Sequence, residues 1–152
     1  MTPAQISAQL HAAVDEGLRF LAGVDETRTL TRPSPDDWCA REVLGHLIDS
    51  ACNNHRRFVL GQSPDIRTFD GYNQDDWVGR QRYHEVAWRD LVALWSSYNR
   101  HLAHVIACAQ AETLSHAAES PDGKEVTLGF IMEDYVTHLQ HHLDQIRSFL
   151  AA

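Results

Sequence analysis

No stretch of this chain comes near 18 unbroken apolar residues, so no transmembrane helix is expected. The opening residues, Met1-Thr2-Pro3-Ala4-Gln5, lack the basic-then-apolar shape of a secretory signal. Cysteine is scarce: Cys39, Cys52 and Cys108 are odd in number and widely spaced. That excludes a disulfide framework and a C-x-x-C site, and it fits small buried hydrophobes in a reducing cytoplasm. Positive charge is short as well, with 13 Lys plus Arg against 21 Asp plus Glu, giving a net charge of −8. A nucleic-acid partner, which needs clustered Lys and Arg, is therefore not expected. Strand-like alternation of any length is missing. At 43% hydrophobic and 22% charged residues, the 152-residue chain is globular, and its length suits one domain, 1–152.

Amphipathic helix is plentiful. Thr2-Pro3-Ala4-Gln5 supplies an N-cap, a first-turn proline and the Gln of a capping box. Ile6, Leu10, Ala13, Gly17, Leu21 and Val24 follow at steps of three and four. Ser34-Pro35-Asp36-Asp37 predicts the start of a second helix, with Val43, Leu44, Leu47, Ile48, Ala51, Phe58 and Val59 on its apolar side and Gly61 as its stop. Residues 61 to about 82, punctuated by Gly61, Pro64, Gly71 and Gly79, predict a long non-helical connection. Its aromatic content predicts that it packs over something. Trp88, Leu91, Trp95, Tyr98, Leu102, Val105 and Ala109 mark a third helix. After the turn signal Pro121-Asp122-Gly123, Thr127 caps a fourth with the stripe Leu128, Ile131, Tyr135, Leu139, Ile146 and Phe149. These elements predict an all-α four-helix bundle, in which the long second connection could cross over.

Histidine is also abundant, with ten residues. His138 and His142, four apart, share one helix face, and His142 takes the slot between Leu139 and Ile146 where the stripe calls for an apolar residue. Burying an unpaired polar group there costs about 1–3 kcal/mol. Two stacked imidazoles can share a metal ion, or hydrogen-bond to neighbours as ordinary core residues. Two would also suffice for bis-His haem, although no C-x-x-C-H attachment is present. His46, beside the small Gly45, brings a third imidazole from the second helix, and three neutral imidazoles leave coordination positions open. Of the remaining seven, His101 and His104 could face one another at i,i+3, and His11, His55, His84, His116 and His141 are expected at the surface or the rim. His138 to His142 lacks the Glu of either zincin pattern, and the Glu-x-x-His pattern of di-iron bundles is absent.

Trp38-x-x-x-Glu42-Val43-Leu44-Gly45-His46-Leu47, followed by His138-x-x-x-His142-x-x-Gln145-Ile146, resembles the DinB-like superfamily (DinB/YfiT-like metal-dependent enzymes) over about residues 3 to 150. The resemblance implies an up-down-down-up bundle, a divalent metal, zinc or nickel, on His46, His138 and His142, and a homodimer. It also implies chemistry such as thiol S-transfer or hydrolysis on a small-molecule substrate, with a low-molecular-weight thiol as a candidate. A non-catalytic metal- or ligand-binding bundle is the alternative. No catalytic acid or base is legible. By spacing, Asp49, Asp134 and Gln145 are candidates to orient the imidazoles. Tyr72, Asn73, Gln74, Trp77 and His141 are candidates to line the pocket.

Overall fold

The apolar stripes of four long helices meet in one core. In the computed structural model, which describes residues 1–120 and 122–150, α1 spans Pro3–Ala22, α2 Ala40–Leu60, α4 Trp88–Ala107 and α5 Leu128–Leu150. A short α3, Gln74–Gln81, lies in the second connection. Thr2 and Gln5 form the expected capping box: Gln5 N–H donates to Thr2 Oγ1 (3.2 Å) and Thr2 N–H to Gln5 Oε1 (2.8 Å). Gly61 ends α2, and Thr127 Oγ1 accepts from Phe130 N–H at 3.1 Å at the start of α5. Trp88 and Trp95 are both core residues, and Trp88 Nε1–H donates to the Leu21 carbonyl at 3.0 Å.

Cross-helix contacts fix the directions. Ser7 Oγ donates to the carbonyl of Ala103 (2.7 Å) near the start of α1 and the end of α4, and Trp88 meets Leu21 at the other end, so α1 and α4 are antiparallel. Arg41 reaches the Val86 carbonyl (2.7 Å) and His55 Nδ1 lies 3.1 Å from Tyr98 Oη, so α2 and α4 run parallel. α5 runs opposite to α2, with Phe58 against Tyr135, and along α1, with Arg147 on Glu16. The order is up, down, down, up.

Four local expectations are corrected. α2 starts at Ala40, not at Ser34-Pro35-Asp36-Asp37, because Glu42 accepts from Cys39 N–H at 2.9 Å and closes the helix start there. Residues 61–82 are not wholly irregular. Asn73 Oδ1 accepts from Asp76 N–H (3.0 Å) and, with Asp75 and Asp76 in the first turn, nucleates α3. Gly79 stands on its open side, where the roughly 1 kcal/mol cost of a helical glycine is tolerated. A small hairpin also forms, β1 (Ala117–Glu119) with β2 (Glu125–Thr127), too short to show alternation. Of its turn signal, Pro121 lies outside the described residues. The cysteines are all free thiols, but only Cys39 is buried; Cys52 and Cys108 are exposed, so the expectation of small buried hydrophobes holds for one of the three.

Gly45 is needed for a close approach. A Cβ there would overlap the Tyr83 ring, which its hydroxyl pins to Asp49 Oδ1 at 2.6 Å. Gly45→Ala gains about 1 kcal/mol of helix propensity but overpacks a fixed ring, at a cost of about 1–3 kcal/mol or more. Urea unfolding should therefore show Gly45→Ala to be the less stable chain. Glu42 yields a second prediction. Burial, the largest single influence, pushes its carboxyl up, but donors from Arg32 and Cys39 together outweigh it and hold the pKa below 4.5. Because the folded pKa is the lower one, ionised Glu42 stabilises the fold above pH 4.5, and that stability fades as pH falls through 4.5 and then through the folded value. Glu42→Gln should cost about 1–2 kcal/mol at pH 7. In urea titrations across pH the gap to wild type should close under acid conditions.

Candidate metal centre

α2 and α5 face each other antiparallel, and that pairing brings His46 against His138 and His142. The Nε2 atoms of His46 and His138 lie 3.2 Å apart. Ring centroids are 5.2 Å apart for His46–His138, 4.7 Å for His46–His142 and 4.5 Å for His138–His142. One nitrogen from each ring falls in a group spanning no more than 4.8 Å. His46 is 2% exposed, and the other two are half-buried.

The environment keeps all three rings neutral. Burial, then the proximity of His142 and His138, pushes the His46 pKa down to about 3. Burial, then His142 and His141, pushes His138 down to about 4. Burial also lowers His142, against a hydrogen bond to Gln145 that raises it. Neutral imidazole is the form that ligates a metal. Nδ1 of His142 lies 2.7 Å from Gln145 Oε1; as the amide oxygen can only accept, Nδ1 carries the proton and Nε2 offers its lone pair. The Nδ1 atoms of His46 and His138 are buried without a hydrogen-bond partner among the described residues. Three neutral, convergent nitrogens fit one divalent cation, since metal–nitrogen bonds of about 2.0–2.1 Å can draw such a group together.

The other sequence candidates fall in different places. Gln145 holds His142, as described. Asp49 is buried beside the cluster, but its carboxylate accepts from Tyr83 Oη (2.6 Å) and Gln81 Nε2 (2.7 Å), and no hydrogen bond joins it to an imidazole. Asp134 is exposed on the wall of a cavity of about 240 Å3 that His138 also lines. Tyr72 lines the same cavity, and the Trp77 ring lies tilted against that of Tyr72 at 5.0 Å, outside the cavity. Asn73 is spent on capping α3, and Gln74 is an exposed first-turn residue of that helix. His141 is exposed, with its ring 5.0 Å from that of His142. Sequence reasoning missed Ser50, Asn54 and Arg57, which line the cavity from α2. They follow His46 by four, eight and eleven residues, a polar stripe that helical spacing alone would have shown.

These features define a class: a helical bundle with an interior three-imidazole cluster on two facing helices, beside a cavity open to solvent. The chain belongs to the DinB superfamily, whose family model matches residues 9–146. It is 24% identical over 145 residues to a protein of Halalkalibacterium halodurans named "Putative metal-dependent hydrolase", covering 95% of this chain and 80% of that one. A Bacillus cereus protein of the same description is 27% identical over 134 residues, covering 88% and 77%. Among solved structures, YfiT from Bacillus subtilis, described as "a probable metal-dependent hydrolase with an unusual four-helix bundle topology", superposes with a TM-score of 0.79 at 19% identity, over 97% of this chain and 83% of that one. A mycothiol-dependent maleylpyruvate isomerase superposes with the same score at 10% identity, over 96% of this chain and 61% of that one. Both likenesses are of fold.

Replacing Gln145 with Leu removes the acceptor that fixes the His142 tautomer. Such partners are worth about 10–100-fold in metal affinity. Competition against a chromogenic chelator should show zinc binding weakened by that factor in Gln145→Leu, with helix content unchanged by circular dichroism.

Proposed function

We propose that the protein is a metal-dependent enzyme in which His46, His138 and His142 hold one divalent cation, zinc or nickel, and that its reaction is hydrolysis of a small molecule. The observation that carries this reading is that the three neutral imidazoles converge where one of them, His138, forms part of a solvent-open cavity wall. Among the described residues the group has three members, so a bound cation would keep an open position, as catalytic rather than structural sites do. Such a cation would supply Lewis acidity toward an electrophile or a water.

The chain's own residues supply the rest. Gln145 fixes the orientation of one ligand ring. Tyr72, whose hydroxyl burial pushes up to about 12, stays protonated on the cavity wall and can donate a hydrogen bond there. Asp134, one turn before His138, places a carboxylate on the same wall. The description shared by the curated relatives supports hydrolysis. The fold neighbour that works with mycothiol supports a second reading, transfer involving a low-molecular-weight thiol.

Elemental analysis of untagged protein should find about one zinc or nickel per wild-type chain and a near-complete loss in the His46→Ala/His142→Ala double variant. Equal metal content in both would overturn the centre. With metal in place, chelator-sensitive turnover of an ester or amide panel supports hydrolysis. Chelator-sensitive consumption of thiol with an electrophile supports transfer. Neither activity in metal-loaded protein would leave a non-catalytic metal-binding bundle.

A further inference from the structure

Three arginines of this chain are not exposed at the residue level: Arg41, Arg57 and Arg147. Arg41 is paired with Glu26, and Arg147 with Glu16 and Asp144. Arg57 has no carboxylate at ion-pair distance among the described residues. Among the described residues its guanidinium makes one hydrogen bond, a long one of 3.4 Å to Asn54 Oδ1. A half-buried guanidinium without a counter-ion is costly as a purely structural choice, because burial strips its hydration and nothing replaces it.

Its surroundings are built rather than incidental. Ser50 and Asn54 are 4% and 9% exposed. Asn54 Nδ2 donates to the Ser50 carbonyl at 2.9 Å and lies 3.3 Å from Ser50 Oγ, which fixes the amide with its oxygen toward Arg57. The guanidinium is thus steadied by Asn54 through one nitrogen. Its other N–H donors remain for whatever enters the cavity, which Arg57 shares with Tyr72 and His138. The planar fork of an arginine matches a carboxylate in bidentate fashion. Two carboxylates of the chain, Glu119 and Asp134, also line this cavity, but both are exposed, where water and salt screen them. In a chain of net charge −8, affinity for an anion must come from such a local donor. At about 240 Å3 the cavity lies below the usual range of about 300–1,000 Å3 for drug-sized ligands.

We propose that Arg57, positioned by Asn54 and Ser50, binds the carboxylate of the substrate, so that the substrate class is a small carboxylate-bearing molecule whose reacting group lies toward His138. The reacting end rests on the metal-dependent reading above; the carboxylate end does not.

The test uses the full chain and two probes of one shape, pentanoate and its uncharged amide, with inorganic phosphate as a competing anion, and follows binding by calorimetry. Wild type should bind pentanoate about tenfold or more tightly than Arg57→Gln does. Arg57→Lys, which keeps the charge without the fork, should fall between them and stands in should Arg57→Gln fail to fold. Pentanamide should bind wild type and Arg57→Gln alike. The His46→Ala/His142→Ala variant should keep the Arg57-dependent preference, so failure of the metal reading would leave this result intact. The proposal is overturned if wild type shows no preference for pentanoate over its amide, or if that preference survives in both Arg57 variants. It is also overturned if the preference vanishes with the histidines instead, or if phosphate displaces pentanoate from Arg57 at lower concentration.

Discussion

From Ala40 to Ala51 every residue of α2 is buried, whichever way it points, and the rest of the molecule is arranged around that fact. A helix closed in on all sides cannot leave a polar side chain to water. Arg41 is met by Thr29 Oγ1 (2.8 Å), the Val86 carbonyl and Glu26. Glu42 is met by Arg32 and by the amide of Cys39. Asp49 is met by Tyr83 and Gln81. Each partner comes from a connection rather than from another bundle helix, so the connections are held in place by the same polar groups they satisfy. His46 is the exception: its ring is met by two other imidazoles across the α2–α5 interface. A helix that finds hydrogen-bond donors and acceptors for its buried charges, and for its buried histidine only the Trp38 ring and more imidazole, has a centre suited to something that wants lone pairs.

The four long helices were legible because their stripes obey one period and their ends carry strong local signals, such as Thr2 with Gln5 and Thr127. His142 was legible for a related reason: it breaks a stripe between two residues, Leu139 and Ile146, that the core buries completely or nearly so. What escaped depends on the third dimension. α3 is eight residues long, with little apolar content of its own, and its cap at Asn73 is an ordinary loop residue until its partner is seen. The start of α2 was misplaced because Cys39 is a poor cap by type, and the work falls to Glu42 and its clamp by Arg32. Ser50, Asn54 and Arg57 share a face with His46 on a helix whose stronger signal is its apolar side, and only the cavity they line gives that polar face a meaning.

The two antiparallel helices of the centre divide its chemistry. α5 contributes a pair of imidazoles one turn apart and the glutamine that sets one of them. α2 contributes the third imidazole and then, further along, hydroxyl, amide and guanidinium groups. Both ends of the cavity are thus written on one helix, and their separation is set by helical rise, about 1.5 Å per residue, rather than by loop conformation.

Because α2 and α4 run parallel, the chain cannot turn back at the end of α2. It must travel the length of that 21-residue helix, about 30 Å, before α4 can begin. The segment that makes this journey carries Tyr72 to the cavity and Tyr83 to Gly45. An up-down-up-down bundle would have no such strap, and its cavity would lack the wall that Tyr72 supplies. Here the topology itself obliges the chain to carry such a roof beside the cavity. As a roof can change in length and side chains while the four helices beneath keep their packing, the fold separates what must be inherited from what is free to diverge.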